Sequence, residues 1–284
     1  MVKKAGRRPG MKNAFKSLFP VVFLSAVLAA GAQPAEMPRV DLSDCLTLYP
    51  VETGVWLVVH VFPWPANSLL VRTGPEDMML VDTPWEEEGT RLLLEWVRRE
   101  FGEIRLTAVN THYHLDNLGG NAVLVERGIP VWGSEMTARL FAEKAAANVQ
   151  RTIAMLRGSG REKFAEAFGR VRLRPPDHLF SETAGLELRS GDGMAVLFYP
   201  GPAHTLDNIV VYFPSRRLLF GGCMIRSMDS EALGSHPEGD TSAWPASALR
   251  VLERFPELRI VVPGHGFWGG AELIRHTVEL ARKR

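Results

Sequence analysis

The segment Thr111-His112-Tyr113-His114-Leu115-Asp116 holds two histidines and a carboxylate within five residues. Zinc favours imidazole, thiolate and carboxylate ligands. The alternation of His112, His114 and Asp116 aims all three the same way if the backbone stays extended. Taken alone, the pattern also fits a polar loop with satisfied histidines. Three further islands weigh against that reading: Gly201-Pro202-Ala203-His204-Thr205, Gly221-Gly222-Cys223 and Pro263-Gly264-His265-Gly266. Each sets one good zinc ligand among small residues just after a β-type run, and loops at strand ends on a rigid scaffold are where sites form. Three histidines can hold one zinc ion and leave a fourth position for water, while an Asp, a Cys and a His can hold a second. Zinc lowers the pKa of its bound water to about 7, and two metals about 3.5–4 Å apart stabilise both nucleophile and leaving group. Cys223 would bind as thiolate, its proton displaced by the metal.

The elements that must position these residues follow from the apolar pattern. Short runs rich in Val and Leu read as strands at Val55–Phe62, Asn67–Thr73 and Met78–Asp82. A helix is expected from about Glu86 to Phe101, with acids in its first turn, an apolar stripe of Leu92, Leu93, Trp96 and Val97, and Gly102 as its stop. A strand over Leu106–Thr111 then runs straight into His112. Residues 134 to 169 read as helical with a break at Gly158-Ser159-Gly160. Strands return at Gly185–Arg189, Met194–Tyr199, Asn208–Phe213 and Arg217–Phe220. A helix from about Trp244 to Arg254, a strand Arg259–Val262 and a helix from about Ala271 to Arg284 finish the chain. Each half is strands followed by strand–helix alternation, which suits two sheets packed face to face with helices outside.

Residues 1–32 are set apart from this pattern. Six basic residues and no acid precede an apolar run, Leu18–Ala30, and Ala30-Gly31-Ala32 offers a cleavage signature, so the segment reads as a secretory signal peptide with residues 33–284 as one domain. The apolar run is short for a bilayer span, and no stable membrane anchor is expected. The chain carries 33 basic and 32 acidic residues; removing the segment leaves 27 against 32, which speaks against a nucleic-acid surface. Cys45 and Cys223 are the two cysteines. Cys223 has a better use than a disulfide, which leaves Cys45 as a small buried hydrophobe.

His112-x-His114-x-Asp116, His204, Cys223 and His265 together resemble the metallo-β-lactamase superfamily, and within it the class B β-lactamases whose second zinc is held by Asp, Cys and His. The islands span Asp82 to His265, most of the domain. The resemblance implies a four-layer αβ/βα sandwich with two mixed sheets and helices on the outer faces. It implies two zinc ions, one on His112, His114 and His204 and one on Asp116, Cys223 and His265. It implies metal-bound hydroxide attack on the lactam amide of penicillins, cephalosporins and carbapenems, conferring antibiotic resistance; the signal peptide points to the periplasm, and a monomer is the default expectation. Asp116 would orient the nucleophile and pass a proton. Arg226, where the family usually has Lys, would grip the substrate carboxylate. Phe62 and Trp64, in Phe62-Pro63-Trp64-Pro65, would belong to an apolar flap over the substrate. Asp82 would support the metal loop from behind, or simply serve at the helix entry. Superfamily thioesterases, lactonases and nucleases typically carry His after the motif Asp, where this chain has Asn117, and an Asp where it has Cys223. The chain departs from the pattern at Ala232, where an Asn is common, and over the longer stretch Ser235–Gly239. His236 could reach the site but reads as a surface residue, and His60, His178 and His276 are assigned no role. Besides a lactamase, a hydrolase of another ester, thioester or lactone and a zinc-binding protein without catalysis remain as alternatives.

Overall fold

The computed structural model describes residues 38–234 and 237–283. The expected signal peptide, residues 1–32, and His236 lie outside the described residues. The first half of the chain forms an eight-stranded sheet: β1 (Val40–Ser43), β2 (Leu46–Glu52), β3 (Val55–Val61), β4 (Pro65–Arg72) and β5 (Asp77–Val81) pair antiparallel in sequence order. Helix α1 (Glu87–Phe101) crosses over to β6 (Arg105–Val109), which lies parallel to β5. Two short helices, α2 (Leu115–Leu118) and α3 (Asn121–Glu126), lead to β7 (Val131–Ser134). The long α4 (Glu135–Gly158) and α5 (Glu162–Phe168) lead to β8 (His178–Phe180), and β7 and β8 extend the parallel run.

The second sheet has the order β13-β12-β11-β10-β9, from β9 (Leu186–Ser190), β10 (Gly193–Phe198), β11 (Val210–Phe213), β12 (Leu218–Gly222) and β13 (Ile260–Pro263). Its pairs are antiparallel except β12 with β13. Helices α6 (Trp244–Arg254) and α7 (Glu272–Arg282) cover its outer face.

Three apolar layers hold this together. Leu57, Leu69, Val71 and Met79 from the first sheet meet Leu197, Val211, Phe213 and Phe220 from the second in a continuous buried core. Leu93, Trp96 and Val97 of α1 pack with Val58, Leu70 and Leu80 on the far face of the first sheet. Val251, Ile274 and Val278 pack with Val210, Leu219 and Val261 on the far face of the second. The result is the expected four-layer sandwich of two mixed sheets with helices outside, each sheet buried on both faces.

Several expectations are corrected. The segment after β6 does not stay extended through Asp116: α2 begins at Leu115, so Asp116 sits in its first turn and the period-2 argument ends at His114. The buried stripe of α1 is Leu93, Leu94, Trp96 and Val97, with Leu92 at its margin. Glu86 is not in the first turn but caps the helix, accepting from Glu88 N–H and Gly89 N–H, each at 2.7 Å. Cys45 is half-exposed in the β1–β2 turn rather than buried. Among the described residues, no helix is long and apolar enough to cross a membrane.

Candidate metal centre

The directions of the strands gather the site. Because β10 and β12 each pair antiparallel with β11, and β13 is parallel to β12, these three strands leave the second sheet at one end. Their exits carry His204, Cys223 and His265. The exit of β6 carries His112, His114 and Asp116 to the same place. The two sheets are stitched there by Ile209 N–H donating to Thr111 O at 2.9 Å and Tyr113 N–H to Asp207 Oδ2 at 3.0 Å. Crevices beyond the carboxyl ends of strands are where α/β sheets bind ligands.

All six candidate ligands converge. Three overlapping groups have their ligand atoms within 4.8 Å of one another: His112 with His204 and Cys223, His112 with His114 and Asp116, and Asp116 with Cys223 and His265. The rings of His112, His114 and His204 lie edge to face with centroids 4.8–5.1 Å apart. His114 Nδ1 faces His204 Nε2 at 3.2 Å. Cys223 Sγ lies 3.3 Å from His265 Nε2 and 3.7 Å from Asp116 Oδ2, and the last two are 3.5 Å apart. A tetrahedral zinc with arms of about 2.0–2.3 Å separates its ligands by roughly 3.3–3.7 Å, so these spacings suit a metal between the side chains.

Protonation agrees. Burial holds His112 and His204 well below the ordinary imidazole range and His114 down to about 4, so all three are neutral at pH 7 with lone pairs to give. His112 Nδ1 lies 3.2 Å from Thr111 Oγ1, which donates its own proton to Asp82, so Nδ1 carries the hydrogen. The opposite nitrogen, Nε2, is buried without a partner among the described residues. His265 Nδ1–H donates to Pro65 O at 2.7 Å, which leaves its Nε2 lone pair facing Cys223 and Asp116. Burial and the nearby Asp116 push the Cys223 thiol far up, so only a cation on Sγ would make the thiolate. An orphaned buried imidazole nitrogen, neutral histidines and tetrahedral spacings together fit zinc.

The supports behind these candidate ligands are buried polar side chains and one close-packed glycine. Asp82 is fully buried at a positive φ of 58°. Its carboxylate accepts from Thr111 N–H and Thr111 O–H, each at 2.7 Å, and from Asn117 Nδ2–H at 2.5 Å. It therefore braces both ends of the His112–Asp116 segment; it does not serve the helix entry, which Glu86 caps. Burial pushes its pKa up to about 8 against the pull of those three donors. Asn67, which the sequence reading missed, donates from Nδ2 to Pro263 O at 2.9 Å and Gly266 O at 2.6 Å, pinning the His265 loop. Gly264 is required by proximity: a Cβ there would lie 2.6 Å from Cys223 N and 2.7 Å from its Sγ.

The remaining expected residues fall around this centre. Arg226 is largely buried beside Gly234, with Nε unpartnered among the described residues, and its positive charge counters the upward push on Cys223. Phe62 stacks on His60 at 5.5 Å and meets Phe164 edge-on at 5.1 Å. Trp64 leans on Trp85 at 6.1 Å with Arg161 over its ring at 5.4 Å. The hairpin is thus fastened to α5 through Phe164 and Phe168 by aromatic contacts. Two groups escaped the sequence reading, one beside the centre and one apart from it. Glu238 reaches His114, and His60, buried with its pKa lowered to about 4, accepts from Trp85 N–H at 3.1 Å.

The profile of the Metallo-beta-lactamase superfamily matches residues 61–265, and the chain belongs to that family. Its relatives include a "Metallo-beta-lactamase type 2" of Bacillus cereus, 34% identical over 218 residues, 77% of this chain and 73% of that one. Another, of Bacteroides fragilis and bearing the same name, is 29% identical over 275 residues, 94% of this chain and 96% of that one. Among solved structures, the metallo-β-lactamase from Pontibacter korlensis superposes with a TM-score of 0.71 at 30% identity, covering 84% of this chain and all of that chain.

Proposed function

We propose that this protein is a zinc-dependent hydrolase of β-lactam amides. One zinc is held by His112, His114 and His204 and a second by Asp116, Cys223 and His265. The observation that carries the reading is the second trio: a cysteine, a carboxylate and a histidine within 3.3–3.7 Å of one another, beside three neutral histidines. Its relatives named metallo-β-lactamase lend it substrate class.

When bound, the metals supply Lewis acidity and bring the pKa of water down to about 7. The chain supplies the rest. Asp116 orients the attacking water with a carboxylate oxygen and accepts its proton for return to the departing nitrogen. Arg226, largely desolvated and with Nε unpartnered among the described residues, grips the carboxylate carried by β-lactams, with two parallel donors where geometry allows. Phe62 and Trp64 offer an apolar wall, and Asp82 keeps the histidine segment in place.

Within this class we assign penicillins, cephalosporins and carbapenems as substrates, and antibiotic resistance as the consequence. In the run Gly201–Ile225 we also read a resemblance to the São Paulo metallo-β-lactamase. Residues 1–32 act as a signal that exports a monomer to the periplasm, where such substrates arrive. The test is turnover of a carbapenem and a chromogenic cephalosporin by the purified mature protein, before and after chelation. Turnover that the chelator abolishes and zinc restores supports the reading. No turnover in protein holding two zinc ions would sink it, and lactones and thioesters would be assayed next.

A further inference from the structure

Each candidate histidine ligand has a second ring nitrogen facing away from the centre, and the partners of those nitrogens differ. His112 Nδ1 meets the Thr111 hydroxyl at 3.2 Å. His265 Nδ1 meets the Pro65 carbonyl at 2.7 Å. His204 Nδ1 is buried with no partner among the described residues. His114 alone ends on a carboxylate: its Nε2 lies 3.5 Å from Glu238 Oε2, while its Nδ1 faces His204. If Nδ1 gives its lone pair to a metal, the proton must sit on Nε2, where Glu238 alone among the described residues is placed to accept it.

Glu238 is built in, not merely nearby. Its other oxygen, Oε1, accepts from Arg151 NH2 at 2.5 Å, so a cation projecting from α4 fixes the carboxylate against the ring. The Glu238 side chain is 12% exposed, beside an Arg151 that is 59% exposed. The ordinary surface pair between α4 and α5, Arg157 with Glu162, leaves both partners nearly 60% exposed. A carboxylate pays a desolvation cost to leave water, and here the imidazole and guanidinium offset it. The stretch that carries Glu238 is also the one that departs from the family pattern.

Resting on the proposed zinc reading, we propose that Glu238 is a positioning residue for the three-histidine metal site, orienting His114 and raising its basicity through Nε2, with Arg151 holding Glu238 in place. Carboxylate–histidine–metal arrangements fix the ring and tautomer of a ligand, and losing the outer group typically costs about 10–100-fold in metal affinity.

The test is titration of the metal-free mature protein with zinc against a chelating indicator, and with cobalt for its spectrum, in Glu238→Ala, Glu238→Gln, Arg151→Ala and Arg157→Ala. Glu238→Ala is expected to weaken one zinc equivalent by about 10–100-fold, with the thiolate-to-cobalt band of Cys223 intact. Glu238→Gln loses less, because its amide oxygen still accepts from Nε2–H. Arg151→Ala falls between the two, and Arg157→Ala matches the parent. Zinc affinity in Glu238→Ala within about twofold of the parent, well short of the outer-group range, overturns the assignment. So does equal weakening of both equivalents with loss of thermal stability, which marks a plain structural role. No β-lactam enters the titration: a parent that binds two zinc ions without lactam turnover refutes the proposed substrate and leaves Glu238 standing, whereas a parent that binds no zinc refutes both.

Discussion

Asp82 shows how much of the centre rests on residues that touch no metal. Three donors from Thr111 and Asn117 converge on it in a fully buried site. Truncation in Asp82→Ala leaves buried donors unsatisfied at about 1–3 kcal/mol each, so a destabilisation of several kcal/mol is expected in urea unfolding of the metal-free protein. Because Thr111 and Asn117 bracket the ligand segment, zinc affinity should fall as well, by about 10–100-fold. Cys223→Ser separates ligand from support. It changes one buried atom, so the unfolding midpoint should hold while one of two zinc equivalents is lost on dialysis and lactam turnover drops more than about 100-fold, past the range of outer-shell changes. Retention of both equivalents by Cys223→Ser would show that Sγ is not a ligand.

At the scale of elements, the glycines beside the ligands are fixed by contact. Gly264→Ala forces a methyl against Cys223 N and Sγ, and neither backbone can yield. The expected cost is about 1–3 kcal/mol of overpacking together with loss of the zinc equivalent proposed for Cys223 and His265. The same change at Gly158, the last residue of α4, meets nothing within 4 Å and should be neutral or stabilising. Opposite signs in the two melts check the argument. The ligand islands were legible in the sequence because each is a local pattern: a ligating side chain among small residues after an apolar β run. The strand ends and the boundary of α6 were legible for the same reason. Helix α2 was not, since four residues are too few to show a 3.6-residue period before Gly119-Gly120. Asn67 and Glu238 were illegible on another ground. Asn67 acts on a carbonyl 196 residues away and Glu238 on a ring 124 residues away, and a lone Asn in a strand or Glu in a loop carries no local mark of its partner.

For the molecule as a whole, burying so many imidazoles ties stability to pH. In the folded protein burial lowers His60 and His114 to about 4 and holds His112 and His204 well below the ordinary imidazole value of 6.5. A depressed base stabilises the fold above its unfolded pKa, and that contribution drains away as pH falls from 6.5 toward 4. Asp82, raised to about 8, and Asp207, raised to about 6, act the other way: their contribution is present below 3.8 and lost as pH rises. Between pH 4 and 6.5 the four histidines outnumber the two carboxylates, so the unfolded chain binds about two more protons. Metal-free protein should therefore gain roughly 2–3 kcal/mol of stability per pH unit across that window. Zinc binds only the neutral histidines of the folded state, so the loaded protein should stay flat to lower pH and then fall steeply as the metal leaves. His60→Gln removes one depressed base remote from the ligand atoms and should shallow the metal-free slope by about 1.4 kcal/mol per unit. Urea midpoints at half-unit steps from pH 4.5 to 7, with and without zinc, read all three curves. A metal-free slope that is zero or negative would mean that the empty centre takes up protons within the fold, and that the histidines do not wait there as free lone pairs.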